Sequence, residues 1–596
     1  MFRSNARRAV PRTLQGYRHF SSKLRIFSAQ QVFPTEPKHV TVEINNRDDK
    51  QSNVGSAVEH CHTLELAELI NQVVTPAEDA RKPFEHSYPG CVQTWGGTFP
   101  MFAIWKRGLL PFAELVDLFT ATRGVPTMWL DRNICLNGMA PYDIPMMDAF
   151  FEQIRVAKVE ANNKQPFVMQ VFDAVNDPKQ LEPVINAYKA KGPDFAVMLY
   201  YSTSRTLFDP ALMNSQRAAN FFKLMEEYAP TDYNGLKQPE GCLSAHQMEV
   251  LCAAVREAQP HKALHVHTQG IHGLSELQAI AAAKGGATSI DAAIPFHSLA
   301  GQPFAPALRE ELIRNGFRVN AWDLDKVDEL IALSKRIESF YPQVSKPDRR
   351  YPSVAYGANI AGGQSSILRD ELNSLGIGHY YPQVEECNPI TRRGAGSGIA
   401  VTPLADTFVR QTMALVREGV SASLSKEDKH DALTLPLLHP SLTRIFEQFV
   451  MTDAYALLLM GDNGLLPSYP HPTLLRKAAE HVAKLRLTQQ QHAGTLTPAQ
   501  AESLAQHTPT LAAAVLHLSQ HVRTQQHAQQ LEQRMEELRA VSGPQRAQLE
   551  LDISLSGMRD FEGHLVTGIE ARASLFQAEQ AKLAQQQQQQ QGEGWQ

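Results

Sequence analysis

Between Lys38 and about Leu375, short β-branched or apolar runs alternate with stretches whose apolar residues recur at helical spacing. The runs are His39 to Ile44, Met128 to Leu130, Phe167 to Phe172, Phe195 to Tyr200, Ala263 to His267, Thr288 to Ile290 and Arg318 to Ala321. Strands separated by helix-length segments predict parallel βαβ units, because a parallel neighbour is reached only through a long crossover. About eight such repeats predict an α/β fold, a (β/α)8 TIM barrel over residues 38–385. A mostly helical domain over 386–487 and a helical, Gln-rich tail over 488–596 are expected to follow. In such a barrel, chemistry belongs to polar residues just beyond the C-terminal ends of the strands.

The tail carries its own pattern. Thr508-Pro509 reads as an N-cap with proline at the first helical position, and Leu511, Val515, Leu518 and Val522 then recur at a/d spacing, continued by Leu531, Met535 and Leu538. Two readings are open: a helical pair folded back on the body, or a coiled coil that makes a homo-oligomer or holds a partner. The run Gln585 to Gln591 reads as disordered by composition.

Charge narrows the function classes. With 57 basic against 62 acidic side chains, the net charge of −5 gives no reason to expect a nucleic-acid partner. A basic excess sits only at the start: Arg3, Arg7, Arg8, Arg12, Arg18, Lys23 and Arg25 precede the first acidic residue, Glu36. That composition predicts a mitochondrial transit peptide over 1–37 and a place in the matrix. No apolar run approaches the length of a membrane span, so no transmembrane segment is expected. The 6 cysteines are scattered without a CxxC pair, which argues against a disulfide scaffold or a structural zinc ribbon.

The polar residues after the strands carry a resemblance. Arg47-Asp48-Asp49-Lys50-Gln51-Ser52 resembles the RDxxQS motif that opens the carboxyltransferase domain of pyruvate carboxylase, shared with the oxaloacetate decarboxylase α chain and transcarboxylase 5S. Trp95-Gly96-Gly97-Thr98-Phe99 is similar to WGGATF, and Phe172-Asp173-Ala174-Val175-Asn176-Asp177 to FDALND. Lys237, in Leu236-Lys237-Gln238, stands where the family has IKDMAGLL, and His265-Val266-His267 follows at the family's distance. Gly362-Gly363-Gln364-Ser365-Ser366 resembles PGGQxTN, and Val401-Thr402-Pro403 resembles VTPTSQ. The matches keep the family's order over about residues 39 to 480.

The resemblance implies a divalent metal, Zn or Mn, at the barrel mouth, polarising a keto-acid toward its enolate. Its ligands would be Asp48, Lys237 as a carbamate, and His267. Arg47 and Gln51 would hold the substrate. Lys237 and Ser366 carry over as catalytic positions, Ser366 as the hydroxyl that relays a proton between biotin and the enolate. No biotin-attachment signature or ATP-grasp segment is visible, so biotin is expected only on a partner, a biotin carboxyl carrier protein or a large mitochondrial complex.

Two departures bear on that expectation. Residues two apart on a strand share a face, so His265, His267 and Gln269 look the same way; the family has a third histidine where Gln269 stands, leaving His265 as a substitute ligand. The family's carboxylate-clamping arginine before FDALND is Gln170 here, which forfeits a charge-assisted pair of about 1.5 to 3 kcal/mol. The segment Asp131-Arg132-Asn133 onward is only a blurred match to RGxNxxGY. Two functions therefore stand side by side: a mitochondrial carboxyltransferase with an eroded site, or a catalytically inactive descendant serving as a structural subunit.

Overall fold

The structure, a computed structural model, describes residues 38–492 apart from internal segments, the longest being 75–90, 98–110 and 342–367. The expected transit peptide, Ser366, the a/d repeat of the tail and the glutamine run lie outside the described residues.

Eight parallel strands close a barrel. They are β1 (His39–Asn45), β2 (Val92–Gly96), β3 (Thr127–Arg132), β4 (Phe167–Phe172), β5 (Phe195–Ser202), β6 (Tyr233–Gln238), β7 (Leu264–Thr268) and β8 (Ser289–Ala292). Each pairs with the next in sequence, and β1 closes on β8 with Thr41 opposite Ser289 and Ile44 opposite Ala292. The barrel expectation thus holds. The run beginning at Arg318 is not a ninth stave: only Arg318–Val319 is extended, and it lies beside the start of β1.

Strand alternation explains both sides of the wall. On β1, Val40, Val42 and Ile44 face outward into a core with Leu66 and Ile70 of the helix His60–Val73 and Leu330 and Ile337 of the helix Leu324–Glu338. The alternate residues face the axis, and there the barrel divides into two halves. Strands β3 to β5 contribute Met128, Leu130, Val168, Phe172, Met198 and Tyr200. Strands β1, β2, β7 and β8 bury Glu43, Asn45, Gln93, His265, His267, Ser289 and Asp291. A barrel axis is ordinarily filled by branched apolar residues. Here one side is a hydrogen-bonded polar seam instead.

Beyond the barrel, the helices Tyr381–Gly394, Leu404–Arg417, Lys426–Thr434, Pro440–Glu447, Asp453–Met460 and Pro472–His492 build a helical region. Its core is continuous with the barrel's: Ile390, Leu404, Phe408, Phe446 and Tyr455 share one apolar cluster with Leu130, Phe172, Ala174 and Val175. Several of these helices start where the sequence caps them, for example at Ser425, whose side chain accepts from the Asp428 N–H at 3.0 Å. Among the described residues no helix is long and apolar enough to cross a membrane.

Candidate functional site

The RDxxQS-like segment forms the start of a helix, Asn46–Val54, immediately after β1. Asn45 starts it, its Oδ1 accepting from the Asp48 backbone N–H at 3.0 Å, as an N-cap side chain does. The same residue's Nδ2 donates to Asp291 Oδ2 at 2.9 Å, tying the helix start to β8. Arg47 Nη1 donates to Asp48 Oδ1 at 2.9 Å and to Gln51 Oε1 at 3.2 Å, and Nη2 donates to Gln93 Oε1 at 3.1 Å. Arg47 and Asp48, both buried, and the half-buried Gln51 therefore form one group.

The second glycine of the Trp-Gly-Gly motif makes room for that group. Gly97 has φ +62°, and a Cβ there would lie 2.7 Å from Gln51 Oε1 and 3.0 Å from Arg47 Nη1. Gly97→Ala is expected to lose about 1–2 kcal/mol from left-handed backbone strain alone, with more from the displaced guanidinium. Urea denaturation of wild type and variant reads the difference.

Lys237 and His267 are register partners on β6 and β7, and both face the axis. The Lys237 side chain is buried, with its amine 5.2 Å from the centre of the Phe172 ring. Burial brings its pKa down to about 8, with Asp48 and Asp291 opposing and Arg47 and Arg132 adding to the fall. His267 Nδ1 lies 2.7 Å from Asp291 Oδ2. Burial and the nearby Lys237 lower the pKa of the ring, so the neutral tautomer donates from Nδ1 to the carboxylate. Among the described residues its buried Nε2 makes no hydrogen bond, and it stands 3.8 Å from Asp48 Oδ2. Burial works against charge on Asp48, but Arg47, His267 and Lys237 and the Gln269 amide outweigh it and hold the carboxyl below its ordinary value.

Asp48, Lys237 and His267 are thus gathered at the C-terminal end of the barrel. His265 lies one layer deeper, its Nδ1 2.6 Å from Ser289 Oγ and its Nε2 3.2 Å from Asp291 Oδ1. Gln170 is also a layer down, beneath Phe172. Its amide is engaged by Gln93, and its Nε2 donates to Tyr200 OH at 2.8 Å. A guanidinium nearer the mouth comes from Arg132, the last residue of β3, which faces the axis with Met128 and Leu130. It is fully buried, and its charge is felt by Lys237 and itself feels Arg47.

Sequence reasoning missed Asp291, Asn45, Gln93 and Tyr200. Asp291 was within reach of strand alternation, standing two residues after Ser289 on a run read only to Ile290. The other three are joined to the site by contacts between distant strands, which one sequence does not display.

Whether these residues suit a resident metal turns on their donor atoms. The imidazole Nε2 of His267 and a carboxylate oxygen of Asp48 are suitable. Gln269, however, presents its Nε2–H to Asp48 Oδ2, using the oxygen a cation would need, and Lys237 presents an amine. Among the described residues no three His, Cys, Asp or Glu side chains converge as a metal site. Two unmodified protein donors fall short of the three or four that zinc sites use, so the unmodified side chains do not fit a tightly held metal, and a carbamate on Lys237 would be the third donor. Gln269→His is expected to strengthen Zn or Mn binding on the order of tenfold or more, checked by titrating metal into EDTA-stripped wild type and variant.

No protein-family model matches the chain. Pyruvate carboxylase of Pichia angusta is 27% identical over 325 residues, covering 53% of this chain and 26% of that protein. The methylmalonyl-CoA carboxyltransferase 5S subunit of Propionibacterium freudenreichii is 22% identical over 402 residues, covering 67% of this chain and 71% of that protein. The chain therefore spans only about a quarter to a third of the length of the pyruvate carboxylases it matches. Among solved structures, the carboxyl transferase domain of Rhizobium etli pyruvate carboxylase with pyruvate superposes with a TM-score of 0.59 at 18% identity, covering 74% of this chain and 68% of that one. Together with the closed barrel and the Arg47, Lys237 and His267 mouth, these relatives make the chain a diverged homologue of pyruvate carboxylase and of the transcarboxylase 5S subunit.

Proposed function

We propose that the chain is a carboxyltransferase-type keto-acid site, acting in the mitochondrial matrix on a carboxyl group delivered by biotin on a separate carrier protein. The observation that carries this reading is the meeting of Arg47 with Lys237 and His267 at one barrel mouth, in a homologue of enzymes that act on keto-acids. The related Rhizobium etli domain has been solved with pyruvate and biocytin, which supports a keto-acid and a biotin moiety as the ligand classes.

Arg47 supplies the fixed charge for the substrate carboxylate, and Arg132 adds positive field from the opposite wall. A guanidinium suits a carboxylate because its paired N–H groups match the two oxygens. Gln51 and Gln93 hold Arg47 in place by accepting from it. Neutral His267, fixed through Nδ1 by Asp291, is placed to move a proton at Nε2. Phe172 and Tyr200 wall the site on the other side and exclude water.

A second reading rests on one observation: the Gln269 amide occupies the Asp48 oxygen that a metal would use. Under that reading the barrel is kept for structure and the chain is a non-catalytic subunit of a mitochondrial assembly. The test is to mix full chain, pyruvate and a carrier domain of a homologous pyruvate carboxylase charged with labelled carboxybiotin, and to assay labelled oxaloacetate. Label in oxaloacetate is the result expected. Pyruvate binding without transfer would favour the structural subunit.

A further inference from the structure

Four buried side chains form a hydrogen-bonded line across the barrel axis beneath the mouth. Arg47 Nη2 donates to Gln93 Oε1 at 3.1 Å, Gln93 Nε2 donates to Gln170 Oε1, and Gln170 Nε2 donates to Tyr200 OH at 2.8 Å. Each of the four is at most 1% exposed. The direction of the line is fixed at its first member. A guanidinium can only donate, so Gln93 must turn its oxygen to Arg47 and is left with its amide N–H groups toward β4. Gln170 must then meet them with oxygen. That sends its own nitrogen toward Tyr200 and the sulfurs of Met128 at 2.7 Å and Met198 at 3.9 Å, which are weak acceptors. Arg47 Nε, meanwhile, makes no hydrogen bond among the described residues, so a guanidinium N–H stays available for a carboxylate oxygen.

We propose that Gln170 is a positioning residue: acting through Gln93, its amide oxygen fixes the Arg47 guanidinium that receives the carboxylate of a 2-keto acid; this rests on the keto-acid reading above. Gln93 has one oxygen end and one nitrogen end, and it lies between Arg47 and position 170. An arginine at 170 would face the nitrogen end, donor against donor. Turning the Gln93 amide over would satisfy the new guanidinium and set the same clash against Arg47. Two cations would also share a buried wall with only a neutral amide between them, which is unfavourable at low dielectric. The arginine that the family has at this position and the grip on Arg47 seen here are therefore alternatives for as long as residue 93 is glutamine. Gln170 belongs to a different way of holding Arg47, and putting a guanidinium back in its place does not add a clamp.

The experiment is calorimetric titration of pyruvate into the full chain as wild type, Gln170→Arg, Gln93→Glu with Gln170→Arg, Arg47→Met, and Arg47→Met with Gln170→Arg, each checked for folding by thermal melting. Gln170→Arg is expected to weaken binding on the order of tenfold or more, the loss attached to one charge-assisted contact. Adding Gln93→Glu should restore binding to near the wild-type level, because a carboxylate presents oxygen to both guanidiniums. In the Arg47→Met background, Gln170→Arg should cost nothing further, a result that a merely structural role would not give. Pyruvate bound by Gln170→Arg as tightly as by wild type, or more tightly, overturns the proposal. So does a loss that persists without Arg47 or is not recovered by Gln93→Glu. Those outcomes leave the keto-acid reading standing, whereas absence of binding to the wild type overturns both. Should Gln170→Arg fail to fold, Gln170→Leu removes the oxygen without adding charge and is expected to weaken binding severalfold; binding equal to wild type would overturn the proposal.

Discussion

Asp291→Ala is expected to destabilise the protein by about 3–5 kcal/mol, the usual cost of removing one member of a buried charged group. The carboxylate is completely buried and accepts from Asn45 Nδ2 at 2.9 Å and His267 Nδ1 at 2.7 Å, with His265 Nε2 at 3.2 Å. Its loss would strand three polar side chains and release the cap of the helix that carries Arg47 and Asp48. Urea denaturation at neutral pH measures the effect, and Asp291→Asn, which keeps the shape but not the charge, should lie between alanine and wild type. A pH dependence follows. Burial alone would raise the Asp291 pKa, but the charge of His265 and the hydrogen bonds of His265 and His267 outweigh it and depress the folded-state value. A depressed carboxyl contributes stability that is complete above its unfolded value of about 4 and is lost as pH falls below it. The gap between wild type and Asp291→Asn should therefore narrow in acid.

Arg47→Met is expected to have the largest effect on ligand binding. It removes the guanidinium that would meet a substrate carboxylate, a loss of about 1.5–3 kcal/mol, or roughly ten- to a hundredfold in affinity. It also leaves the Asp48 carboxylate beside an apolar side chain, so stability should fall by a comparable or larger amount. Gln51 and Gln93 each lose their donor. Arg47→Lys should retain part of the stability but little of the binding, because an ammonium cannot reproduce the paired geometry. Calorimetric titration with pyruvate separates the two losses from each other.

The barrel was legible where the strands are apolar. Phe167–Phe172 was read with both its ends, Phe195–Ser202 was cut short by its last two residues, and Thr127–Arg132 was found only over its apolar middle. Val92–Gly96 and Tyr233–Gln238 gave no apolar run at all. Their alternate residues, Gln93, Gly235 and Lys237, line the polar axis, and a strand polar on its inner face resembles a loop in one sequence. Those two strands were marked only by the motifs that resemble the family's. The site was legible in the same uneven way. Asp48, Lys237 and His267 are locally marked, whereas the Asp291 bridge and the Gln93–Gln170–Tyr200 chain join residues from strands far apart. Gly235 shows the point well: it leaves the space that the Tyr200 ring fills, a Cβ there lying 2.7 Å from ring carbons.

The central claim, a keto-acid site built on Arg47 and independent of a tightly held metal, is tested most directly by titrating pyruvate into EDTA-stripped full chain beside Arg47→Met. The account predicts saturable binding in the wild type, weakened roughly ten- to a hundredfold in the variant. Binding absent from the wild type, or equal in both proteins, would contradict it.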